Sequence, residues 1–236
     1  MTTTAAGAAV VDLASTSLRD LNQRLHGLAG DDPEPRRWQI LNPNGAHAVA
    51  CGLDAPLEVE IVGHVGYYCA GMNKRAAVHV RGNAGTGLAE NMMSGTVVVD
   101  GNASQSAGAT GRGGLLVIGG DAGARCGISL KGLDIVVGGS VGHMSAFMAQ
   151  RGCLVVCGDA GDALGDSIYE THVYVRGQVG ALGADCVEKE LGAHHVAELR
   201  GLLERAGFDH LDASEFRRYG SARRLYNFHV DNAGAY

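Results

Sequence analysis

Apolar and polar positions alternate in short segments that recur every 19 residues along the middle of the chain. Each segment places apolar residues four and two positions before a recurrent glycine, with variable residues between them. The glycines of this first column are Gly63, Gly82, Gly101, Gly120, Gly139, Gly158 and Gly177. An alternation with period two is typical of a strand that buries one face, and the β-branched residues that dominate this face favour the same structure. The pattern predicts seven short strands.

Small residues follow each predicted strand in two further columns. The column three residues after the glycine contains Gly66, Gly85, Ser104, Gly123, Gly142, Gly161 and Gly180. The column seven residues after it contains Ala70, Ala89, Gly108, Gly127, Ala146, Gly165 and Ala184. Glycine at such positions permits a turn with positive φ or a close backbone approach. A turn is therefore predicted after every strand.

The repeat unit cannot bury its apolar face alone, but copies stacked on one another can. We therefore predict an all-β core, a right-handed parallel β-helix of about seven 19-residue coils, with helical extensions at both ends. Left-handed hexapeptide coils need a six-residue sub-period, and calcium-binding nonapeptide coils need a regular Asp in their turns. Neither feature is present, and the Ala and Gly columns predict a narrow, filled interior.

The periodicity divides the chain into three parts: 1–52, an N-terminal helix and capping strands; 53–187, the β-helix; and 188–236, a C-terminal helix and docking tail. A helix is expected over 15–29, with a capping box from Ser17 to Asp20. Its apolar face would hold Leu18, Leu21, Leu25 and Leu28. Trp38–Leu41 and Ala46–Cys51 are expected as strands that close the first coil.

A second helix is expected over 188–206, ending near Gly207. Its apolar stripe would hold Leu191, His195, Leu199, Leu202 and Leu203. The tail that follows carries two arginine pairs and aromatic residues. As candidates for docking a partner we take Arg217, Arg218, Arg223, Arg224, Tyr226 and Phe228. The alternative, that the tail packs against its own β-helix, stays open.

Charge and hydropathy exclude two classes of partner. With 19 Lys and Arg against 25 Asp and Glu, the net charge of −6 disfavours nucleic-acid binding. No apolar window is long enough to span a membrane. The first residues have no basic region before their short apolar stretch, so a secretory signal is not expected and the cytoplasm is the expected location.

The sequence offers no residue that we assign to catalysis, to a cofactor or to a metal. Its six cysteines contain no C-x-x-C pair, and its ten histidines show neither H-x-H nor H-E-x-x-H spacing. His194 and His195 are adjacent on a predicted helix, so their side chains should leave it on different sides. The glycine-rich segment 117–127 lacks the order of a dinucleotide-binding loop.

The turn motif G-x-x-G-x-x-x-G resembles that of the C-terminal domain of glutamate synthase large subunits, which is a right-handed parallel β-helix. The motif is complete at Gly120–Gly123–Gly127 and at Gly158–Gly161–Gly165. The resemblance covers 57–187, and Ser104 or Ala replaces glycine in other coils. The flanking segments SLRDLNQRLH and FRRYGSARRLYNF look most like those of the stand-alone β-helix subunit of N-methylglutamate synthase.

This resemblance implies a noncatalytic scaffold subunit with no cofactor of its own. FMN, with or without an iron–sulfur cluster, is expected on partner subunits: an FMN-binding glutamate-synthase-like chain and a class II amidotransferase-like chain. The complex would convert glutamate and methylamine to N-methylglutamate and ammonia. Two alternatives stay open: a subunit resembling the β-helix portion of formylmethanofuran dehydrogenase, and a self-sufficient lyase or acyltransferase. The last would need a cluster of charged residues on one face, which the sequence does not reveal.

Overall fold

A computed structural model describes residues 2–3, 7–28 and 37–224. Its 12 strands form one sheet. The strands before the repeat are β1 Thr2–Thr3, β2 Ala9–Asp12 and β3 Arg37–Leu41. Those of the repeat are β4 Glu58–Val62, β5 Ala77–Arg81, β6 Thr96–Val99, β7 Leu115–Ile118, β8 Lys131–Val137, β9 Arg151–Val156 and β10 His172–Val175. The chain continues with β11 Cys186–Lys189, helix α2 Ala193–Ala206, a 3-10 turn Ala213–Glu215 and β12 Arg217–Ser221, while helix α1 Leu18–His26 lies between β2 and β3.

Strands β2 to β10 pair in parallel and in chain order, so successive coils lie on one another. From β4 onward, residues 19 positions apart are direct neighbours; for example, Val59 pairs with Val78. A second column of parallel bridges joins the residues two positions after the glycines, from Val65 through Ala84 to Val179. The predicted parallel β-helix of about seven coils is confirmed.

The inward columns of the repeat form the core. The residues four and two positions before the first glycine, from Val59 and Ile61 in β4 to Val173 and Val175 in β10, are each no more than 2% exposed. Each pair flanks a residue that points to the outside of the coil. The period-two pattern therefore identified the buried face of each coil correctly.

Helix α1 closes the N-terminal end of the core. The Ser17 side chain accepts a hydrogen bond from the backbone N–H of Asp20, as the capping box predicts, and Leu21 and Leu25 are buried. Leu18 and Leu28 pack against the same core from its margin, and Leu28 follows the end of the helix at His26. Strand β3 lies on the first repeat strand, so the predicted strand over 38–41 is confirmed.

The predicted strand Ala46–Cys51 is wrong, because this segment forms turns. Ala48 and Ala50 have φ of 56° and 54°, a left-handed conformation that a strand cannot contain. Asn22 of α1 holds the segment: its amide donates to Ala48 O at 2.9 Å and accepts from Ala50 N at 3.1 Å. The sequence pattern missed this because the turn depends on a side chain from a distant helix.

The C-terminal end is closed by antiparallel strands. Strand β12 pairs with β10 on one side and with β11 on the other. The second helix begins at Ala193 rather than at 188, because Gly192 is its N-cap and residues 186–189 form β11. Leu191 consequently precedes the helix, and it packs at the margin of the apolar residues beneath it. Gly207 ends the helix as predicted, with φ 79°. None of the described helices is both long and apolar enough to cross a membrane.

Candidate functional site

The first glycine column is explained by close approach rather than by positive φ. Among its members only Gly63 has a positive φ. A Cβ on Gly101, Gly120 or Gly139 would lie 2.1 Å from the side-chain oxygen of a residue in the preceding coil. Positive φ occurs in the third small column instead, where Ala89 has φ 53° and Gly108 has φ 68°.

The oxygens that exclude these Cβ atoms belong to a ladder along the turns. In each coil the side chain after the first glycine accepts a hydrogen bond from the backbone N–H of its counterpart in the next coil. His64 accepts from Asn83 at 2.9 Å, Asn83 from Asn102 at 2.8 Å, and the series continues to Gln178. The glycines and the ladder are therefore one structural device that binds adjacent coils.

The arginines predicted to dock a partner contact the chain itself. Arg217 donates to Gly177 O at 2.8 Å, and Arg218 donates to Glu190 O at 2.9 Å. Arg223 pairs with Glu170 at 3.0 Å, and the backbone N–H of Arg224 donates to Asp185. The tail thus packs against its own β-helix from residue 217 to residue 224, where its described part ends. Tyr226 and Phe228 lie outside the described residues, and a docking role for the tail stays a prediction.

The outward side of the sheet is divided into a covered half and an open half. Helix α2 and the segment after it cover the strands from β7 to β10, where Leu199, Leu202, Leu203 and Phe216 pack on outward side chains of the sheet. Over β3 to β6 the same side is an open groove of about 460 Å³. Apolar residues such as Val98 line it together with charged ones, among them Arg37, Glu58 and Glu60. Arg37 pairs with Glu58 at 2.7 Å, and Glu60 pairs with Arg81, which lies beside the groove, at 2.9 Å.

A polar cluster lies where α2 crosses the last two coils. Cys153 of β9 is directly paired with Asp134 of β8 on one side and with His172 of β10 on the other. Glu198 of α2 reaches over them, with its Oε2 2.8 Å from His172 Nδ1. One ligand atom each from Cys153, His172 and Glu198 lies within 4.8 Å of the other two.

Three further residues surround this cluster. The Tyr174 hydroxyl donates to Glu198 and lies 3.4 Å from His195 Nδ1. Arg205 lies 3.5 Å from the carboxylate of Asp134. The rings of His194 and His195 are only 3.7 Å apart, although His194 is exposed and His195 is buried. The expectation that these two side chains separate is therefore wrong, because the exposed ring folds back onto its neighbour.

Burial and charge shift the titration of the cluster. Burial, together with the neighbouring carboxylates of Glu198 and Asp134, raises the pKa of the Cys153 thiol. Burial, followed by the positive charge of Arg218, lowers the pKa of His195 to about 4, so its imidazole is neutral at pH 7. Burial opposes ionisation of Glu198, but hydrogen bonds from Tyr174 and His172 outweigh it and lower the pKa of this carboxyl.

Sequence spacing missed this cluster because its members come from two coils and a separate helix. The repeat register carried part of the signal, since Asp134, Cys153 and His172 occupy one column at 19-residue steps. Nothing in the sequence indicated where α2 would lie, and so Glu198 could not be added. With Glu198, Asp134 and Arg205, the cluster also places charged residues together on one face of the β-helix, a grouping that the sequence alone did not reveal.

Comparison with known proteins relates the chain to a protein of similar length. No protein-family model matches the chain. The chain is 60% identical to Protein GlxC of Rhizobium meliloti (strain 1021) over 227 residues, which cover 96% of this chain and 99% of that protein. The match therefore includes the coils, both helices and the cluster beneath α2. The chain belongs to the family of Protein GlxC.

Proposed function

We propose that this chain is a structural subunit of a glutamate-synthase-like complex. In this proposal it holds together an FMN-binding subunit, with or without an iron–sulfur cluster, and a class II amidotransferase-like subunit. The complex would be an N-methylglutamate synthase, which forms N-methylglutamate and ammonia from glutamate and methylamine. The resemblance of the turn motif at Gly120–Gly123–Gly127 to the glutamate synthase β-helix supports this assignment, and the parallel coils agree with it.

The observation that carries the scaffold role is the open half of the outer sheet face. The inward columns are filled by side chains, so function must be carried by the outside of the coil stack. There, α2 covers one half of the sheet with apolar contacts, whereas apolar and charged side chains together line the uncovered groove over β3 to β6. An uncovered sheet face that is partly apolar and partly charged is suited to binding a partner, because apolar contact adds affinity and complementary charge adds specificity.

The test is affinity purification of the tagged full chain from its native cell, with an absorbance spectrum of the eluate. We expect two co-purifying chains and the spectrum of a bound flavin. The eluate should then form N-methylglutamate when methylamine and glutamate are supplied, whereas the purified chain alone should not. A colourless eluate containing only the tagged chain, or turnover by the chain alone, would contradict the proposal.

The same experiment distinguishes the proposed complex from the alternative one. A β-helix subunit of the formylmethanofuran dehydrogenase type would co-purify with a pterin-dependent metalloenzyme instead of a flavoprotein. Mass spectrometry of the co-purifying chains distinguishes the two outcomes directly. A complex that contains flavin but ignores methylamine would retain the scaffold role and change only the amine.

A further inference from the structure

The cluster beneath α2 combines three donor types that transition metals bind. Cys153 offers a thiolate sulfur, His172 an imidazole nitrogen and Glu198 a carboxylate oxygen, all within 4.8 Å of one another. Zinc binds such ligands at about 2.3 Å for sulfur and about 2.0–2.2 Å for nitrogen and oxygen. In a tetrahedral site this places the ligand atoms roughly 3.3–3.7 Å apart. Small side-chain movements therefore convert the observed arrangement into a zinc site.

The backbone fixes two of the three donors in advance. Cys153 and His172 are direct neighbours in the parallel register of β9 and β10, so their side chains leave the sheet on the same side. Glu198 is set by the packing of α2, whose neighbouring residue Leu199 is fully buried against the sheet. A donor set carried by rigid elements loses little entropy when it binds an ion.

The surroundings meet the other needs of a metal site. Tyr174 donates a hydrogen bond to the Glu198 carboxylate, which orients this donor as outer partners of metal ligands commonly do. Cys153 is 5% exposed, whereas the side chains of His172 and Glu198 are 34% and 37% exposed. An ion can thus reach the site from solvent while its thiolate stays protected.

We propose that Cys153, His172 and Glu198 bind one zinc ion, with a water or an incoming ligand in the fourth position. The ion replaces the hydrogen bond between His172 and Glu198, and binding releases the thiol proton of Cys153. Because two ligands belong to the sheet and one to α2, the ion cross-links the helix to the last coils. This inference does not depend on which complex the chain joins.

The test uses the full chain, reduced and stripped of metal by a chelator, and titrated with Co²⁺ as a spectroscopic probe for zinc. We expect saturation at one equivalent, with thiolate-to-cobalt charge-transfer absorption that Zn²⁺ abolishes by displacement. Zn²⁺ should also raise the thermal unfolding midpoint, because an ion that binds only the folded state stabilises it. Cys153→Ser should remove the charge-transfer band and weaken Zn²⁺ binding at least tenfold.

Two further variants make the result specific. Cys157→Ser is the matched control, since Cys157 is also buried among the residues beneath α2 but lies outside the donor set. Its cobalt spectrum should equal that of the unmodified chain. Glu198→Gln changes a half-exposed side chain without altering its size, and it should weaken Zn²⁺ binding about 10–100-fold. Failure of the unmodified chain to saturate with Co²⁺, or equal losses in Cys153→Ser and Cys157→Ser, would overturn the proposal.

Discussion

At the scale of single residues, the turn of each coil is specified jointly by a glycine and by a polar side chain of the previous coil. Asn102 Oδ1 accepts from Asp121 N at 2.8 Å and occupies the space where a Cβ of Gly120 would lie. An isolated turn would explain the glycine by conformational freedom alone. Here the constraint comes from the neighbouring coil, so the two positions should be energetically coupled.

Gly120→Ala tests this coupling. The new Cβ would lie 2.1 Å from Asn102 Oδ1, so the amide must move and lose its hydrogen bond. We expect the free energy of unfolding to fall by about 1–3 kcal/mol in denaturant titrations. In an Asn102→Ala background the same substitution should cost about 0.5–3 kcal/mol less. If the free-energy changes of Gly120→Ala and Asn102→Ala simply add, the Asn102 side chain is not the reason that position 120 requires glycine.

The cysteines give a second prediction at this scale. Cys51 is partly exposed, whereas the other five cysteines are buried. Burial raises the pKa of Cys69 and of Cys126 to about 12, so these thiols are neither exposed nor ionised at pH 8. A maleimide reagent should therefore label Cys51 first in the native chain and all six cysteines in denaturant. Peptide mapping identifies the labelled residue, and early labelling of Cys126 would contradict the packing.

At the scale of elements, the predictability of each segment follows from how local its determinants are. The strands of the repeat were predicted from seven aligned copies, and α1 from Ser17 and its leucine spacing. The predictions of a strand over 46–51 and of a helix start at 188 were wrong. The first segment depends on Asn22, and the second on the pairing of β11 with β12. Strand β2 was not predicted, since its short segment has no partner pattern in the sequence.

Two glycines of the second helix allow a prediction about this element. Gly201 lies within α2, and Gly207 ends it with φ 79°, and an added Cβ would contact nothing within 4 Å at either position. Gly201→Ala should raise the free energy of unfolding by about 0.5–1 kcal/mol, because alanine favours helix. Gly207→Ala should lower it by about 1–2 kcal/mol, because alanine resists the left-handed conformation. Thermal unfolding of the two variants measures both effects. If both substitutions shift the unfolding midpoint in the same direction, the backbone conformation at one of the two glycines differs from that described.

The candidate site shows the same division between local and distant determinants. The repeat register alone aligns Asp134, Cys153 and His172, because equal steps of 19 residues place them in one column. Glu198 joins them only because α2 lies across the outer face of the sheet. No sequence rule specifies where a helix after the last coil lies, and so the complete donor set required the structure.

At the scale of the whole molecule, the outer face of the sheet is one continuous surface, of which α2 covers one half and leaves the other half open. One outward column is apolar where α2 covers it, at Val117, Val136 and Val155. Nearer the N-terminus the corresponding positions are mostly polar, as at Gln39, Glu60 and His79, and remain open. Covering this half with apolar side chains would remove water from these polar groups and ion pairs at a cost, and α2 does not extend over it. A partner that binds here must supply complementary charge.

Glu58→Lys tests whether this open half binds the partner subunits. Glu58 pairs with Arg37 through side chains that are each 61% exposed, so losing the pair should change stability by less than about 1 kcal/mol. Under the scaffold proposal, the reversed charge should lower the recovery of the flavoprotein at least tenfold in the affinity purification. Glu204→Lys, an exposed reversal on α2, is the matched control and should leave recovery unchanged. Equal recovery of the flavoprotein with both variants would show that it does not bind over β3 to β6, because reversing a charge inside the interface would weaken its binding.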